Sequence, residues 1–151
     1  MAKIERSITI SDTVDKVFAY ITDLANEMEY IPSVTDVRNI TGHRVGQRCG
    51  WTYKMMGIPL KGNAEVTEYM PNQRYVLKTN GGILSTWTWT FKAESHKTRL
   101  NVVVEYRIPV PVLGKLGDAI VQQLNEREAD LAMANIKERM EWRTQFKTLR
   151  S

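Results

Sequence analysis

Cysteine, histidine and long apolar runs are scarce in this chain of 151 residues. Cys49 is the only cysteine, which excludes an intramolecular disulfide and a metal site built from several thiolates. No stretch approaches the roughly 20 apolar residues of a membrane-spanning helix, and the opening MAKIERSITI lacks the basic and apolar segments of a signal peptide. The sequence therefore predicts a cytoplasmic protein without a transmembrane segment.

Charge of one sign is not clustered either. The formal net charge is +4 and the pI is near 9.2, yet lysines and arginines are spread among acids along most of the chain. This scatter argues against nucleic-acid binding, which depends on a basic patch. Because the histidines and carboxylates show no metal-ligand spacing, we predict no metal, and no motif indicates a cofactor.

The last ten residues, WRTQFKTLRS, form the one basic segment without an acid. A solvated helix end is the favoured explanation of this segment. The alternative is a surface that contacts a protein partner or a membrane through Trp142, Phe146 and Leu149. The sequence leaves peripheral membrane contact and the oligomeric state open.

Hydrophobic periodicity predicts one α+β domain over residues 1–151. A strand near residues 3–10 is followed by two short helices that end at Pro32, and a long helix covers residues 112–146. Between them, turn signals separate six strands, which implies an antiparallel meander. The predicted strands lie near residues 34–41, 46–56, 60–69, 74–80, 83–93 and 98–108.

The segment STWTWTFKAE places large aromatic residues at every second position, so they share one face of a strand. The same parity test predicts a sheet face with many aromatic side chains that carry polar tips. These are Trp51, Tyr53, Tyr75, Trp87, Trp89 and Tyr106. Buried indole and phenol groups need hydrogen-bond partners, which favours a ligand cavity over a sealed core. A base-stacking platform is disfavoured because the helix after Pro111 needs the same face.

The predicted C-terminal helix completes the candidate cavity. Its apolar spacing places a set of side chains toward the sheet, namely Leu116, Ile120, Gln123, Leu124 and Arg127. Together with Met55 and the six aromatic residues, they are the predicted ligand-binding residues. Phe91, nearer the end of its strand, is predicted to belong to the core.

Candidate catalytic groups are few. The sheet-facing Arg127 either binds a ligand oxygen or pairs with an acid such as Glu68 near the rim. Tyr53 and Tyr106 are weak candidates for proton donors. The two histidines fall in the turns TGHRVG and ESHKT, and Cys49 fits a small buried hydrophobic residue better than a nucleophile.

Several stretches of the chain resemble the START-like superfamily, also called the SRPBCC or Bet v 1-like group. IERSITISDTVDKVFAYITD is similar to its opening strand and first helix, and TWTWTF resembles its aromatic sixth strand. TRLNVVVEYRIPVPVLGKLGD and LNEREADLAMANIKERMEW resemble the last strand, the junction and the closing helix of bacterial polyketide cyclase/dehydrase-like members. The resemblance covers nearly the whole chain.

The resemblance implies a helix-grip fold, in which a curved seven-stranded antiparallel sheet wraps around a long C-terminal helix. It also implies a cavity between sheet and helix that binds a lipid, a polyketide, an isoprenoid quinone or a similar hydrophobic molecule. The alternative that it implies is an enzyme of the polyketide cyclase/dehydratase type acting on such a ligand. Fold alone does not decide between these functions.

Overall fold

The chain folds as one strand, two short helices, six further strands and two C-terminal helices. The computed structural model describes the backbone of residues 2–150 and the side chains of residues 2–142. The first half comprises β1 (Ala2–Ile10), α1 (Val14–Thr22), a 3-10 turn (Leu24–Asn26), α2 (Glu27–Tyr30), β2 (Val34–Thr41) and β3 (Arg48–Met55). The second half comprises β4 (Ile58–Met70), β5 (Arg74–Gly81), β6 (Leu84–Glu94), β7 (Lys97–Arg107), α3 (Val110–Leu116) and α4 (Asp118–Arg150).

The seven strands form one antiparallel sheet in the order β1-β7-β6-β5-β4-β3-β2. The register pairs Trp89 with Tyr75 on β5 and with Val102 on β7, so the aromatic residues found by parity share one face. Helix α4 packs across this face beside β1. The predicted α+β helix-grip fold is confirmed, and every predicted strand boundary lies within two residues of the observed one.

The C-terminal helix differs from its prediction in one respect. The predicted single helix over 112–146 is wrong, because the chain breaks at Gly117 into the separate helices α3 and α4. Gly117 has φ +84°, in the left-handed region that glycine tolerates without strain, and its N–H donates to the Leu113 carbonyl at 2.7 Å.

This break changes which face of α4 meets the sheet. The buried positions are Val121, Ala129, Ala132, Met133, Ile136 and Met140. The predicted sheet-facing side of α4 is therefore wrong by about one residue: Gln123 and Arg127 are exposed, and Ile120 is 47% exposed. The physical reason is that the predicted apolar spacing runs through Gly117, where the helical phase is interrupted. Leu116 and Leu124 are half-buried.

Aromatic packing fills one end of the space between sheet and helices. Phe18 of α1 packs edge to face on Phe91 and Tyr69, with ring centroids 5.0 and 5.2 Å apart. Tyr30 of α2 packs against Trp89 at 6.2 Å. Phe91 thus belongs to the core, as predicted. The opposite end, toward the start of β6 and the end of β7, is less completely filled.

Polar contacts fix α4 over this sheet. Arg6 Nε of β1 lies 2.6 Å from Asp130 Oδ1, and Lys137 Nζ donates to the Thr9 carbonyl at 2.7 Å. The Ser33 backbone N–H donates to Glu128 Oε1 at 2.6 Å, which ties the segment before β2 to the same helix. The position of α4 is therefore set on both sides of the space that it covers.

Candidate ligand cavity

A cavity lies between the less filled end of the sheet, α2 and the first half of α4. Its volume is about 80 Å³. Four predicted ligand-binding residues line it: Trp51, Tyr53, Trp87 and Tyr106. The other apolar lining residues are Ile4, Ile31, Val34, Ala64, Leu77, Ile83, Val104, Ile108 and Ala129, and the polar ones are Glu27, Thr79, Ser85, Asn125 and Glu128.

The remaining predicted ligand-binding residues do not line this cavity. Met55, Tyr75 and Trp89 are buried in the adjoining core. The candidates on the C-terminal helices are half-buried or exposed outside it, namely Leu116, Ile120, Gln123, Leu124 and Arg127. The proposed role of Arg127 on the sheet-facing side has no support in this geometry, because the side chain lies on the solvent side of α4.

The cavity is small for the hydrophobic ligands that the sequence analysis predicts. Sites for drug-sized ligands measure about 300–1,000 Å³, and an engineered cavity that binds benzene measures about 150 Å³. Tyr53, Ile83 and Trp87 line the cavity and are only half-buried, so their side chains can move outward without breaking a sealed core. A ligand larger than a few water molecules therefore requires the cavity to widen.

Glu27, the first residue of α2, is the most chemically unusual group in the wall. Burial raises the pKa of this carboxyl from its ordinary value of 4.5 to about 7. A carboxyl with this pKa exchanges a proton near neutral pH, which general acid–base catalysis requires. The sequence analysis missed Glu27, although its helical spacing from the buried Leu24 and Ile31 is a signal that places it on an inward face.

Glu128 is the second carboxylate of the wall. Its Oε1 accepts the Ser33 N–H, so part of its hydrogen-bonding capacity is used to hold the α2–β2 segment. Burial, and then the nearby Glu128 charge, raise the pKa of Tyr53 well above its ordinary value. Tyr53 is consequently a phenol that stays protonated and can donate a hydrogen bond.

Three buried donors near the cavity have no hydrogen-bond partner among the described residues: Trp51 Nε1, Tyr75 Oη and Asn125 Nδ2. Trp51 and Asn125 are lining residues. By contrast, Trp87 Nε1 donates to Ser85 Oγ at 3.2 Å. Because an unsatisfied buried donor costs about 1–3 kcal/mol, such groups mark places where an acceptor from outside the chain would be bound favourably.

Cys49 lies on β3 next to this wall and is buried, as predicted. Burial, followed by the charge of Glu27, raises the pKa of the thiol to about 12. The thiol is therefore protonated at neutral pH and is not an activated nucleophile. His43 and His96 are exposed in their turns, as predicted, and neither reaches the cavity.

A second depression of about 570 Å³ is lined by residues of β2 to β5, most of them polar. Its two arginines are already paired with carboxylates: Arg38 with Asp36 at 2.9 Å and Arg48 with Glu65 at 3.2 Å. These pairs leave no uncompensated positive charge to bind an anion, so the smaller aromatic cavity is the better candidate site.

The described residues contain neither a metal-binding cluster nor a helix suited to span a membrane. Within residues 2–142, no group of three or more His, Cys, Asp and Glu side chains is arranged to hold a metal ion. No helix in the described part of the chain combines the length and hydropathy that crossing a membrane requires.

A family model described as polyketide cyclase/dehydrase and lipid transport matches residues 1–141. The chain belongs to this family. Its membership and its fold confirm the predicted relationship to the START-like superfamily. Comparison with curated proteins finds no match.

Solved structures of similar fold share little sequence with this family member. A Thermus thermophilus protein, TTHA0849, has 20% identity and a TM-score of 0.79 over 92% of this chain and 97% of its own. The Streptomyces aromatase/cyclase Zhui has 12% identity and a TM-score of 0.77 over 95% of each chain. The di-domain ARO/CYC StfQ of steffimycin biosynthesis has 15% identity and a TM-score of 0.74, over 95% of this chain and 51% of its own. At these identities the likeness shows the fold.

Proposed function

We propose that residues 1–151 form one ligand-binding domain, which takes up a hydrophobic small molecule in the cavity between the sheet and α4. The observation that carries the proposal is the wall itself, which is mainly apolar and aromatic with a few placed polar groups, as ligand sites are. The family description, which covers both lipid transport and polyketide cyclisation, supports a ligand of this class. A lipid, a polyketide and an isoprenoid quinone all belong to this class of ligand.

The cavity volume of about 80 Å³ makes widening part of the proposal. The side chains that must move are the half-buried ones, Tyr53, Ile83 and Trp87. Trp87 stacks on Trp89, with ring centroids 6.1 Å apart, so ligand entry between wall and helix would change the environment of both indoles. Tryptophan fluorescence is therefore a direct reporter of binding.

Native mass spectrometry of the purified protein, followed by solvent extraction, tests the proposal without a chosen ligand. A thermal-shift screen of lipids, quinones and aromatic polyketides complements it, because a ligand that binds only the folded state must raise its melting temperature. We expect a co-purified apolar molecule or a saturable shift for at least one class. Absence of both would contradict the binding function.

A second candidate function, a dehydratase of the cyclase/dehydrase type, is supported by Glu27. In place of the exposed Arg127, the Glu27 carboxylate would take the proton from the carbon beside a ligand carbonyl. As the C=C bond forms and the C–O bond of a β-hydroxyl breaks, the resulting carboxylic acid would return that proton to the hydroxyl, which leaves as water. The carboxylate is regenerated, and no other reactant is needed.

The model substrate 3-hydroxy-1-tetralone tests this candidate, because loss of water converts it into the fluorescent 1-naphthol. We expect naphthol formation faster than in buffer, with a rate that rises through about pH 7 as Glu27 ionises. Glu27→Gln should abolish the acceleration, whereas Glu138→Gln, on the exposed side of α4, should retain it. Equal rates in protein and buffer would contradict the enzyme and leave the binding function standing.

The cytoplasm remains the proposed location, and contact of the C-terminal helix end with a partner or membrane remains a prediction. Trp142 is 60% exposed, while Phe146 and Leu149 lie outside the residues whose side chains are described. Truncation after Glu141 should abolish liposome or partner binding and spare ligand binding. Unchanged liposome and partner binding would leave the helix end as a solvated terminus.

A further inference from the structure

We propose that the cavity selects an uncharged ligand with a carbonyl or hydroxyl oxygen, which is held by Trp51, Asn125 and Glu27, and that it rejects carboxylates. This inference rests on the proposed binding function and names the chemical class of its ligand. It separates ketones, quinones and phenols from fatty acids, although all of them are hydrophobic.

The first step of the argument is the position of the unused donors. Trp51 comes from β3 and Asn125 from α4, and both line the cavity, so each of the two elements that enclose it carries one unpartnered N–H donor. Trp51 is 6% exposed, which leaves bulk water little access to its indole. An acceptor oxygen that enters between these two elements gains hydrogen bonds that the empty protein does not make.

The second step is the charge of the wall. No lysine, arginine or histidine is among the lining residues, while Glu27 and Glu128 both are. Arg6, which shares a face of β1 with the lining residue Ile4, is bound to Asp130 at 2.6 Å. A ligand carboxylate would lose its hydration without gaining a cation, which is strongly unfavourable, and it would also be repelled by the two acids.

The third step is the protonation of Glu27. The Glu27 charge acts on three neutral groups, Tyr30 of α2, Cys49 of β3 and Tyr75 of β5. Glu128, Tyr53 and Tyr106 line the same cavity, and the one cation that also acts on Cys49, Arg38 of β2, is paired with Asp36. When Glu27 is protonated it is a third donor to a ligand oxygen. When it is ionised it accepts only, so it favours a ligand hydroxyl and repels an anion.

Three probes with the same two-ring skeleton test the proposal: tetralin without oxygen, 1-tetralone with a carbonyl, and 1,2,3,4-tetrahydro-1-naphthoate with a carboxylate. Their dissociation constants are measured by tryptophan fluorescence at about pH 6 and pH 8, on either side of the Glu27 pKa. We expect 1-tetralone to bind about tenfold more tightly than tetralin, as one or two good hydrogen bonds allow. The carboxylate should bind most weakly at the higher pH.

Three variants assign the effect to the named groups. Trp51→Phe keeps the aromatic wall but removes Nε1–H, so it should reduce the advantage of 1-tetralone over tetralin severalfold. Asn125→Leu should do the same and serves as the second variant if Trp51→Phe fails to fold. Glu27→Gln should make 1-tetralone affinity independent of pH and improve carboxylate binding about tenfold at about pH 8. Glu138→Gln removes an exposed charge from α4 and should change neither the affinity for 1-tetralone nor the affinity for the carboxylate.

The outcomes separate this inference from the function on which it rests. If tetralin and 1-tetralone bind equally, or if the carboxylate binds most tightly, the oxygen selectivity is wrong and hydrophobic binding stands. If none of the three probes binds at millimolar concentration, the inference fails, and if the native extract is also free of apolar ligand, the binding function fails with it.

Discussion

Glu27 makes the stability of the protein depend on pH in a direction opposite to that of an ordinary surface carboxylate. Its pKa is about 7 in the folded chain against an ordinary value of 4.5, so between these pH values the folded state binds more protons than the unfolded state. Stability from this group is therefore complete below about pH 4.5, falls as the pH rises to about 7 and then stays low. Glu27→Gln removes the ionisation and should stabilise the protein at about pH 8 by roughly 1–3 kcal/mol.

Urea denaturation of the wild type and of Glu27→Gln at about pH 4 and pH 8 checks this prediction. The quantity compared at each pH is the difference in unfolding free energy between the two proteins. The two free energies of unfolding should agree at the lower pH, where wild-type Glu27 is also neutral. A Gln variant that is no more stable than wild type at the higher pH would show that the carboxyl is solvated rather than buried. Glu138→Gln supplies the control, because this exposed acid on α4 should give no such difference.

Cys49 provides a second test of burial at the same wall. Since its pKa is about 12 and the residue is 3% exposed, only about one thiol in ten thousand is ionised at about pH 8. Ellman's reagent should therefore leave the native protein unmodified and titrate one thiol after denaturation. Stoichiometric reaction of the native protein within seconds would mean that β3 opens to solvent.

At the residue scale, the sequence predicted what depends on strand parity and missed what depends on tertiary position. Trp51, Tyr53, Trp87 and Tyr106 were identified as inward because successive strand side chains alternate between faces. Glu27 was missed because a glutamate in a short helix is usually solvated. Only the packing of α2 against α4 and β2 shows that Glu27 is withdrawn from solvent in the cavity wall.

At the scale of elements, Gly62 controls how closely β4 lies to its neighbours. A Cβ atom at Gly62 would lie 2.0 Å from the Asn80 carbonyl oxygen and 2.6 Å from Trp51 Cζ2. Gly62→Ala must therefore push the β5 backbone or the Trp51 indole out of place. We expect a loss of about 1–3 kcal/mol in the free energy of unfolding, measured by urea denaturation, together with altered tryptophan fluorescence.

Gly114→Ala is the matched control for this substitution. Gly114 sits inside α3, and a Cβ atom there would meet open space beyond the backbone of its own helix. Alanine should therefore fit and stabilise the protein by up to about 1 kcal/mol, because it restricts the unfolded chain and favours the helix. Equal destabilisation by both substitutions would contradict the close approach assigned to Gly62.

The break at Gly117 shows why elements were predicted better than their faces. Strand boundaries follow from turn residues and period-two alternation, which are local signals. The face of α4 depends on where its helical phase begins, and one glycine with φ +84° resets that phase. Small residues such as Ala129 and Ala132 then meet the sheet, while the larger Ile120 and Leu131 stay partly exposed.

At the scale of the whole molecule, the fold could be predicted because seven strands and one long amphipathic helix allow few arrangements that bury every apolar face. The volume of the cavity could not be predicted from the sequence. Its volume is the small space that remains after Phe18, Tyr30 and Trp89 have filled the other end, so it depends on the rotamers of many side chains.

Filling this space tests whether binding uses the cavity rather than the surface. Ala129 lies on α4 in the cavity wall, and Ala132, one turn further, is buried against the sheet outside the wall. Ala129→Leu should abolish 1-tetralone binding with little loss of stability, since the added atoms occupy existing space. Ala132→Leu has no such space and should cost about 1–3 kcal/mol while the remaining folded protein still binds. Calorimetric titration measures the 1-tetralone affinity of both variants, and thermal denaturation measures their stability. Undiminished binding by Ala129→Leu would place the ligand outside the cavity.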